Sequence, residues 1–223
     1  MEGSWKAKWQ ELWQKEKWIW LSAALLGLCL TILCMTLWTR EYAREIQEGI
    51  SGKVVRFHVL ANSDTEEDQA LKLAVRDRVL REYRSLLSGC TSKEDTWETL
   101  RSLQRSISET AQQEVWEKGY AYPVRVSLVR EEFPFKQYED LIFPAGVYDA
   151  LRIEIGAGAG QNWWCVLYPQ MCFVDAAWGY STEESHQRLQ NTLTEEEFLV
   201  VSAMEQEQVK PKIKLKLVEL WQK

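Results

Sequence analysis

The residues most able to do chemistry lie in the stretch RFHVLANSD, residues 56–64, which holds one of the two histidines in the 223-residue chain. His58 precedes Ser63 and Asp64 closely, and Cys165 lies further along the chain. An imidazole beside a hydroxyl or thiol can act as the base that activates a nucleophile. One hypothesis is therefore a hydrolase that uses His58 with Asp64 or Cys165.

A structural role for the same stretch competes with catalysis. Residues 53–61, KVVRFHVLA, have the β-branched and apolar content of an interior strand. Asn62 to Asp64 then supply the start of a helix, with Ser63 or Asp64 as its N-cap and a glutamate as the capping-box partner. We favour this interpretation, in which His58 is a buried strand histidine and the polar residues are used as caps.

Other chemistry lacks its usual residues. The two histidines lie far apart, and the sequence has neither an H-E-x-x-H zinc motif nor a D-x-D-x-D-G calcium loop. GAGAGQ, residues 156–161, lacks the Gly-Lys-Ser/Thr ending of a phosphate loop and is predicted to be a hairpin loop between two strands. We therefore predict no metal, no cofactor and no small-molecule substrate. A net charge of −6 also argues against nucleic-acid binding.

An apolar run near the N-terminus predicts a transmembrane helix or signal anchor over residues 18–38. The run from Trp18 to Trp38 contains no formal charge. At ~1.5 Å per helical residue it spans ~30 Å, the thickness of a hydrocarbon core. Trp18, Trp20 and Trp38 lie near its ends, where indole rings favour the headgroup region.

The charges around this run predict its orientation. Four lysines lie in residues 1–17, whereas only Arg40 and Arg44 follow the run closely, so residues 1–17 are predicted to be cytoplasmic and the rest to cross the membrane. A cleaved signal peptide is the alternative, but Glu41-Tyr42-Ala43 is a poor cleavage site. We favour an uncleaved anchor, and release of the domain stays open.

The remaining sequence predicts one extracytoplasmic α+β domain, residues 53–223, behind a short helical stalk, residues 39–52, that ends at Gly49 and Gly52. Apolar periodicity predicts the order β-α-α-β-β-β-α-β, a mixed sheet packed by about three helices. The last helix begins at Thr194, and an alternating segment at residues 210–222 is predicted to be an edge strand with a basic face.

The cysteines predict one disulfide in the exported part. Cys29 and Cys34 lie inside the apolar run, which leaves Cys90, Cys165 and Cys172. Cys165 and Cys172 flank a proline-containing turn and are the natural pair, so Cys90 keeps a free thiol.

Two adjacent tryptophans mark a candidate contact surface. Trp163 and Trp164 lie on a predicted strand and therefore point to opposite faces of the sheet. If one of them is exposed, it supplies the type of residue found at interaction hot spots.

Two long blocks and the C-terminal KLKLVEL resemble a known family. The blocks are RFHVLANSDTEEDQALKLAVRDRVL (residues 56–80) and FPAGVYDALRIEIGAGAGQNWWCVLYPQMCFVD (residues 143–175). Together they closely resemble the stage II sporulation protein R family of endospore-forming Firmicutes, over most of residues 53–220.

The resemblance implies a signalling protein rather than an enzyme. It implies export from the forespore into the space between the forespore and mother-cell membranes. The partner there is expected to be a membrane-embedded aspartic protease that processes the pro-sigma-E factor. An envelope-associated hydrolase and a structural envelope protein remain the alternatives. The candidates for partner contact or for the family's fold signature are Arg56, His58, Asn62, Ser63, Asp64, Asp68, Asn162, Trp163 and Trp164.

Overall fold

The chain divides into two compact units, Met1–Glu45 and Ile46–Lys223. The structure is a computed structural model that describes residues 3–138, 141–172 and 183–202. The described elements are α1 (Gly3–Lys53), β1 (Val55–Leu60), α2 (Glu66–Ser88), α3 (Lys93–Glu117), β2 (Val124–Phe133), β3 (Lys136–Tyr138), β4 (Leu141–Phe143), β5 (Gly146–Ile155), β6 (Asn162–Tyr168), α4 (Glu183–Thr192) and α5 (Glu195–Val201).

The N-terminal unit is the apolar part of α1. This helix is long and apolar enough to cross a membrane and could anchor the chain there. The predicted helical stalk, residues 39–52, is the last part of this helix, since α1 continues through Gly49 and ends at Lys53, one residue after Gly52. Ile46 and Ile50 in its last turns are buried in the second unit, and this packing offsets the low helix propensity of glycine.

The second unit is built on a mixed four-stranded sheet, which confirms the predicted α+β class. The strand order is β2-β5-β1-β6, and β3 and β4 form a separate two-stranded sheet. β1 runs parallel to β5, with Phe57 beside Leu151, and antiparallel to β6, with His58 beside Trp164. β1 is therefore an interior strand, as its apolar sequence predicts.

Both faces of the sheet are buried, and β1 contributes to each. Val55, Phe57 and Val59 face α2 and α3 in a first core. Arg56 and His58 occupy the alternate positions and face the other side. The second core on that side contains Ile46, Ile50, Val54, Phe133, Leu141, Phe143, Tyr148, Ala150, Val166, Met171, Leu189, Leu193 and Val201.

The polar residues after β1 do not cap α2 as predicted. The N-cap is Thr65, whose side chain accepts a hydrogen bond from the Asp68 backbone N–H. Ser63 instead donates to the Asp68 carboxylate, and Asp64 accepts from the Gln161 backbone N–H. The cap prediction is wrong because the Ser63 hydroxyl is used by the Asp68 carboxylate in the first turn of α2, and the Asp64 carboxylate by the loop before β6.

Residues 156–161 do not form a hairpin loop, because β1 lies between β5 and β6 in the sheet. The loop crosses the C-terminal end of β1, so hairpin register rules do not apply to it. Gly156 has φ of +61°, and a Cβ there would lie 2.2 Å from Asn62 Oδ1. A glycine is needed at this position for both reasons.

Two further predictions concern the later part of the chain. The predicted helix start at Thr194 is confirmed, with a capping box between Thr194 and Glu197. The segment between Pro134 and Pro144 contains the two short strands β3 and β4. The predicted final strand at residues 210–222 lies outside the described residues.

The predicted disulfide between Cys165 and Cys172 is present. The turn that it encloses packs against the end of α2, because the Gln170 amide donates to the carbonyls of Leu87 and Cys90 at 2.9 and 3.2 Å. Cys90 is a free, buried thiol.

Alkylation of the unreduced, denatured protein tests this bond. We expect mass spectrometry to show three modified cysteines out of five, because Cys165 and Cys172 are bonded to each other. The Cys90→Ala variant is the matched control and should show two. Five modified cysteines in the unreduced wild-type protein would contradict the disulfide.

Candidate functional site

The candidate residues predicted from the sequence fall into three groups in the fold. Arg56 and His58 project from β1 into the second core. The polar residues from Asn62 to Asp68 gather at the C-terminal end of β1. Asn162, Trp163 and Trp164 lie on β6, paired with the C-terminal half of β1.

Arg56 lies in a cage of four aromatic rings. Its guanidinium carbon is 5.0 Å from the ring centre of Phe133, 5.1 Å from Phe143, 5.3 Å from Tyr148 and 5.7 Å from Tyr138. The side chain is completely buried, and its Nη2 donates to the Tyr138 hydroxyl at 3.0 Å. No hydrogen-bond partner lies near Nε or Nη1 in the described part of the chain. Among the described residues, the charge is therefore balanced mainly by ring faces and by no carboxylate.

Burial shapes the electrostatics of this cage. It lowers the pKa of Arg56, and the nearby phenols of Tyr138 and Tyr148 oppose the shift. The same burial raises the pKa of both phenols, which keeps them neutral donors and acceptors. A guanidinium stays protonated under such conditions, so the second core contains a fixed positive charge.

His58 forms the next layer of the same core. Its ring stacks on Trp164 with centroids 4.9 Å apart and planes 8° apart, and meets Phe133 edge-on at 5.2 Å. Its Nε2 contacts Oε1 of Glu131 on β2. The histidine is 2% exposed, so these three side chains make up most of its surroundings.

The imidazole of His58 is neutral at physiological pH. Burial lowers its pKa to about 3, and the positive charges of Arg152 and Arg56 add to the shift. Burial also raises the pKa of Glu131, although Arg152 opposes that change. A neutral imidazole between two cations can accept a proton only at a large cost in free energy.

The nucleophile pairings suggested by the sequence are not assembled. Cys165 lies in the first core beside Phe57, on the opposite face of the sheet from His58, and is bonded to Cys172. Asp64 lies beyond the end of β1, where its Oδ1 accepts the Gln161 N–H at 2.6 Å. Neither residue can accept or deliver a proton at His58 in this geometry.

The polar residues after β1 attach the glycine-rich loop to the sheet. Asn62 accepts the Ala157 N–H through Oδ1 at 3.0 Å and donates to Asp68 Oδ2 at 2.8 Å. Ser63 donates to the same Asp68 oxygen at 2.5 Å. The hydrogen bond from Ser63 lowers the pKa of Asp68 against the opposing effect of burial. This group fixes the position of the loop and leaves few of its polar atoms for other partners.

The two adjacent tryptophans point to opposite faces of the sheet, as predicted. Trp163 packs edge-on against Phe57 at 5.6 Å, and the Arg76 guanidinium lies 4.8 Å from its ring centre. Trp164 points to the opposite face from Trp163, and there its ring stacks on His58. Both indoles are half-buried, so each has a structural role besides any contact surface it offers.

Sequence reasoning missed the residues that complete these groups. Glu131 and Phe133 come from the end of β2, and Tyr148 comes from the start of β5, so long-range pairing alone brings them to β1. Lys72 was also missed; its ammonium donates to the Gln161 carbonyl at 2.9 Å. The only local signal for these residues is the alternation along β2. It places Glu131 and Phe133, two residues apart, on the same face of that strand.

Comparison with known proteins gives a consistent result. The family described as Stage II sporulation protein R matches residues 51–178 of the chain. Stage II sporulation protein R of Bacillus subtilis (strain 168) is 33% identical over 171 residues, which cover 75% of this chain and 72% of that protein. No solved structure matches the chain.

Substitution of Arg56 measures what its side chain contributes to the second core. We expect Arg56→Ala to lower the free energy of unfolding by ~3 kcal/mol, because it leaves a cavity among four rings. Arg56→Met, of more similar volume, should recover most of that loss. Urea denaturation followed by tryptophan fluorescence measures both. Equal losses in the two variants would show that the charge, and not the volume, stabilises the cage.

The lowered pKa of His58 predicts a dependence of stability on pH. Below pH ~6.5, the ordinary pKa of histidine, the unfolded chain takes up a proton at His58, whereas the folded protein does so only near its lowered pKa of about 3. The contribution of His58 to the free energy of unfolding is therefore complete above pH ~6.5 and is lost as the pH falls toward about 3. The free energy of unfolding should fall between pH 6.5 and 5 with a slope of at most ~1.4 kcal/mol per unit. His58→Gln should lose this contribution.

The control for this measurement is His186→Gln, which removes the other histidine and should keep the slope. The raised pKa of Glu131 acts in the opposite direction, and both variants retain Glu131, so the two slopes are compared with each other and with that of the wild-type protein. A slope that is unchanged in His58→Gln would contradict the assignment to His58.

Proposed function

Since the chain belongs to the stage II sporulation protein R family, we propose that it is a signalling protein of endospore formation and not an enzyme. It is made in the forespore and anchored by α1, and its second unit lies in the space between the forespore and mother-cell membranes. There it triggers a membrane-embedded aspartic protease of the mother cell, which then removes the inhibitory segment of pro-sigma-E. The family membership is the observation that carries this proposal.

Two features of the chain support the proposed location. The apolar helix α1 could anchor in a membrane. The Cys165–Cys172 bond is of the kind that persists in oxidising compartments and is rare in a reducing cytosol. A domain on the outer side of a membrane would combine both features.

The geometry around His58 supports a binding role over catalysis. The imidazole is enclosed by Trp164, Phe133 and Glu131, and the predicted nucleophile Cys165 lies on the opposite face of the sheet. A general base needs access to the proton that it abstracts. The proposed hydrolase therefore lacks its assembled dyad, whereas a signalling domain needs only a stable surface.

Activation of the protease follows from differential binding. A ligand shifts an equilibrium between inactive and active states only if it binds the active state more tightly. To convert a receptor from 1% to 99% active, the preference must reach ~10⁴-fold. The rigid, doubly buried sheet of the second unit is suited to this task, since little ordering free energy is lost on binding.

Reconstitution tests the proposed function directly. The purified oxidised protein is added to the protease in lipid vesicles together with its pro-sigma-E substrate, and processing is followed on gels. We expect processing to require the added protein and to saturate with its concentration, because the protein acts as a ligand. Vesicles without the added protein are the control, and no processing in the complete system would count against the proposal.

The same assay separates signalling from the hydrolase alternative. The His58→Gln variant, once shown to be folded, should retain triggering, because the imidazole is enclosed and takes no part in chemistry. A folded variant that loses all triggering would favour the hydrolase.

A further inference from the structure

The strand β2 forms one edge of the four-stranded sheet. Its hydrogen-bonded neighbour within the described part of the sheet is β5, on one side only. In an antiparallel pair, alternate residues direct their backbone N–H and C=O groups away from the partner strand. Such groups on an edge need another partner, which is water, a side chain or an added strand.

Side chains of α3 close the first half of this edge. The Val124 N–H donates to Gln112 Oε1 at 2.9 Å, and the Val126 carbonyl accepts from Gln104 Nε2 at 3.0 Å. These contacts also show that Val124 and Val126 direct their backbone groups outward. Two glutamine amides thus act here in place of a neighbouring strand.

The second half of the edge has no such cover in the described ranges. By the same alternation Leu128, Arg130 and Glu132 direct their backbone groups outward. Within residues 3–138, 141–172 and 183–202, these outward groups have no backbone or side-chain hydrogen-bond partner. Three outward residues offer an edge for a strand of ~5 residues.

A cleft of about 480 Å³ lies beside this open half. Arg130, Val147 and Asp149 contribute from the sheet, and Ser51 and Lys93 contribute from the ends of two helices. Val147 is 39% exposed, which gives the cleft an apolar patch. A side chain of a strand added to β2 would have room to enter it.

The cleft is lined by two cations, Lys93 and Arg130, and by two carboxylates, Glu48 and Asp149, and Arg130 is the cation that favours a carboxylate on the occupant. Asp149 lies opposite Arg130 in the strand register, but its carboxylate is paired with the Lys93 ammonium at 2.7 Å. Arg130 is exposed, and no carboxylate of the described residues lies within ion-pair distance of it. An exposed guanidinium beside a cleft is a ready partner for a carboxylate.

We propose that the open half of the β2 edge, Leu128 to Glu132, binds an extended acidic segment of the membrane-embedded protease. The segment adds a strand to the sheet through backbone hydrogen bonds and directs a carboxylate side chain to Arg130. This inference rests on the proposed function for the identity of the partner. The recognition chemistry, an extended acidic peptide on a sheet edge, rests on the geometry.

Two pairs of variants test the two kinds of contact. Arg130→Glu reverses the charge in the cleft, and Arg125→Glu makes the same change in net charge on an exposed residue of the opposite face. Glu132→Pro removes an outward N–H, which an edge strand tolerates, and Glu132→Ala removes the side chain but keeps that N–H.

The first measurement is the protein concentration for half-maximal processing in the reconstituted system. We expect Arg130→Glu and Glu132→Pro to raise it about tenfold or more, because each removes a contact made only with the partner. Arg125→Glu and Glu132→Ala should change it less than about twofold. Equal values for all four variants, with processing intact, would overturn the edge contact and leave the proposed function standing.

The second measurement is residue-resolved amide hydrogen exchange of the outward N–H groups of Leu128, Arg130 and Glu132 in the full chain, with and without the protease in vesicles. We expect fast exchange in the free protein and protection after the protease is added. Protection already present in the free protein would overturn the proposal, since the edge would then be covered by the chain itself. Protection on binding without any processing would support the edge contact and overturn the signalling function. Neither protection nor processing would overturn both.

Discussion

A positive charge on the interior face of the central strand constrains the rest of the second unit. β1 directs Arg56 into a fully buried position. No carboxylate in the part of the chain that the structure describes balances its charge there. An isolated charge is costly to remove from water, so the surrounding elements must supply polarizable and polar groups. Four aromatic rings from β2, β3, β4 and β5 do so, and this requirement explains why the short β3–β4 sheet folds against the main one.

The same strand also fixes the connection between β5 and β6. Because β1 is inserted between these two strands, the loop of residues 156–161 must cross its end, and its backbone polar groups need partners there. Asn62 and Asp64 accept two of its N–H groups, and the backbone carbonyl of Ala61 accepts the Gly160 N–H at 2.9 Å. The polar cluster after β1 is therefore explained by topology, without any reaction to catalyse.

The sequence predicted those features that depend on local pattern. The apolar helix, the interior strand, the capping box at Thr194 and the Cys165–Cys172 pair all follow from spacing and residue type. The errors arose where tertiary contacts override local preference. Ser63 and Asp64 have the chemistry of helix caps, but the loop before β6 uses the Asp64 carboxylate, and the Ser63 hydroxyl donates to Asp68. Likewise the contact of His58 with Glu131 depends on the register of β2 against β5, which no local signal sets.

A division of roles within the chain follows from this geometry. Among the candidates that the resemblance suggests, Arg56, His58 and Asn62 are engaged inside the fold and expose little surface to a partner. A contact surface must instead use groups whose hydrogen bonds and charges are not satisfied within the folded chain. Among the described residues, the half-open edge of β2 offers such groups, while the glutamines of α3 cover the other half. The covered half confines an added strand to residues 128–132, which limits where a binding segment can pair.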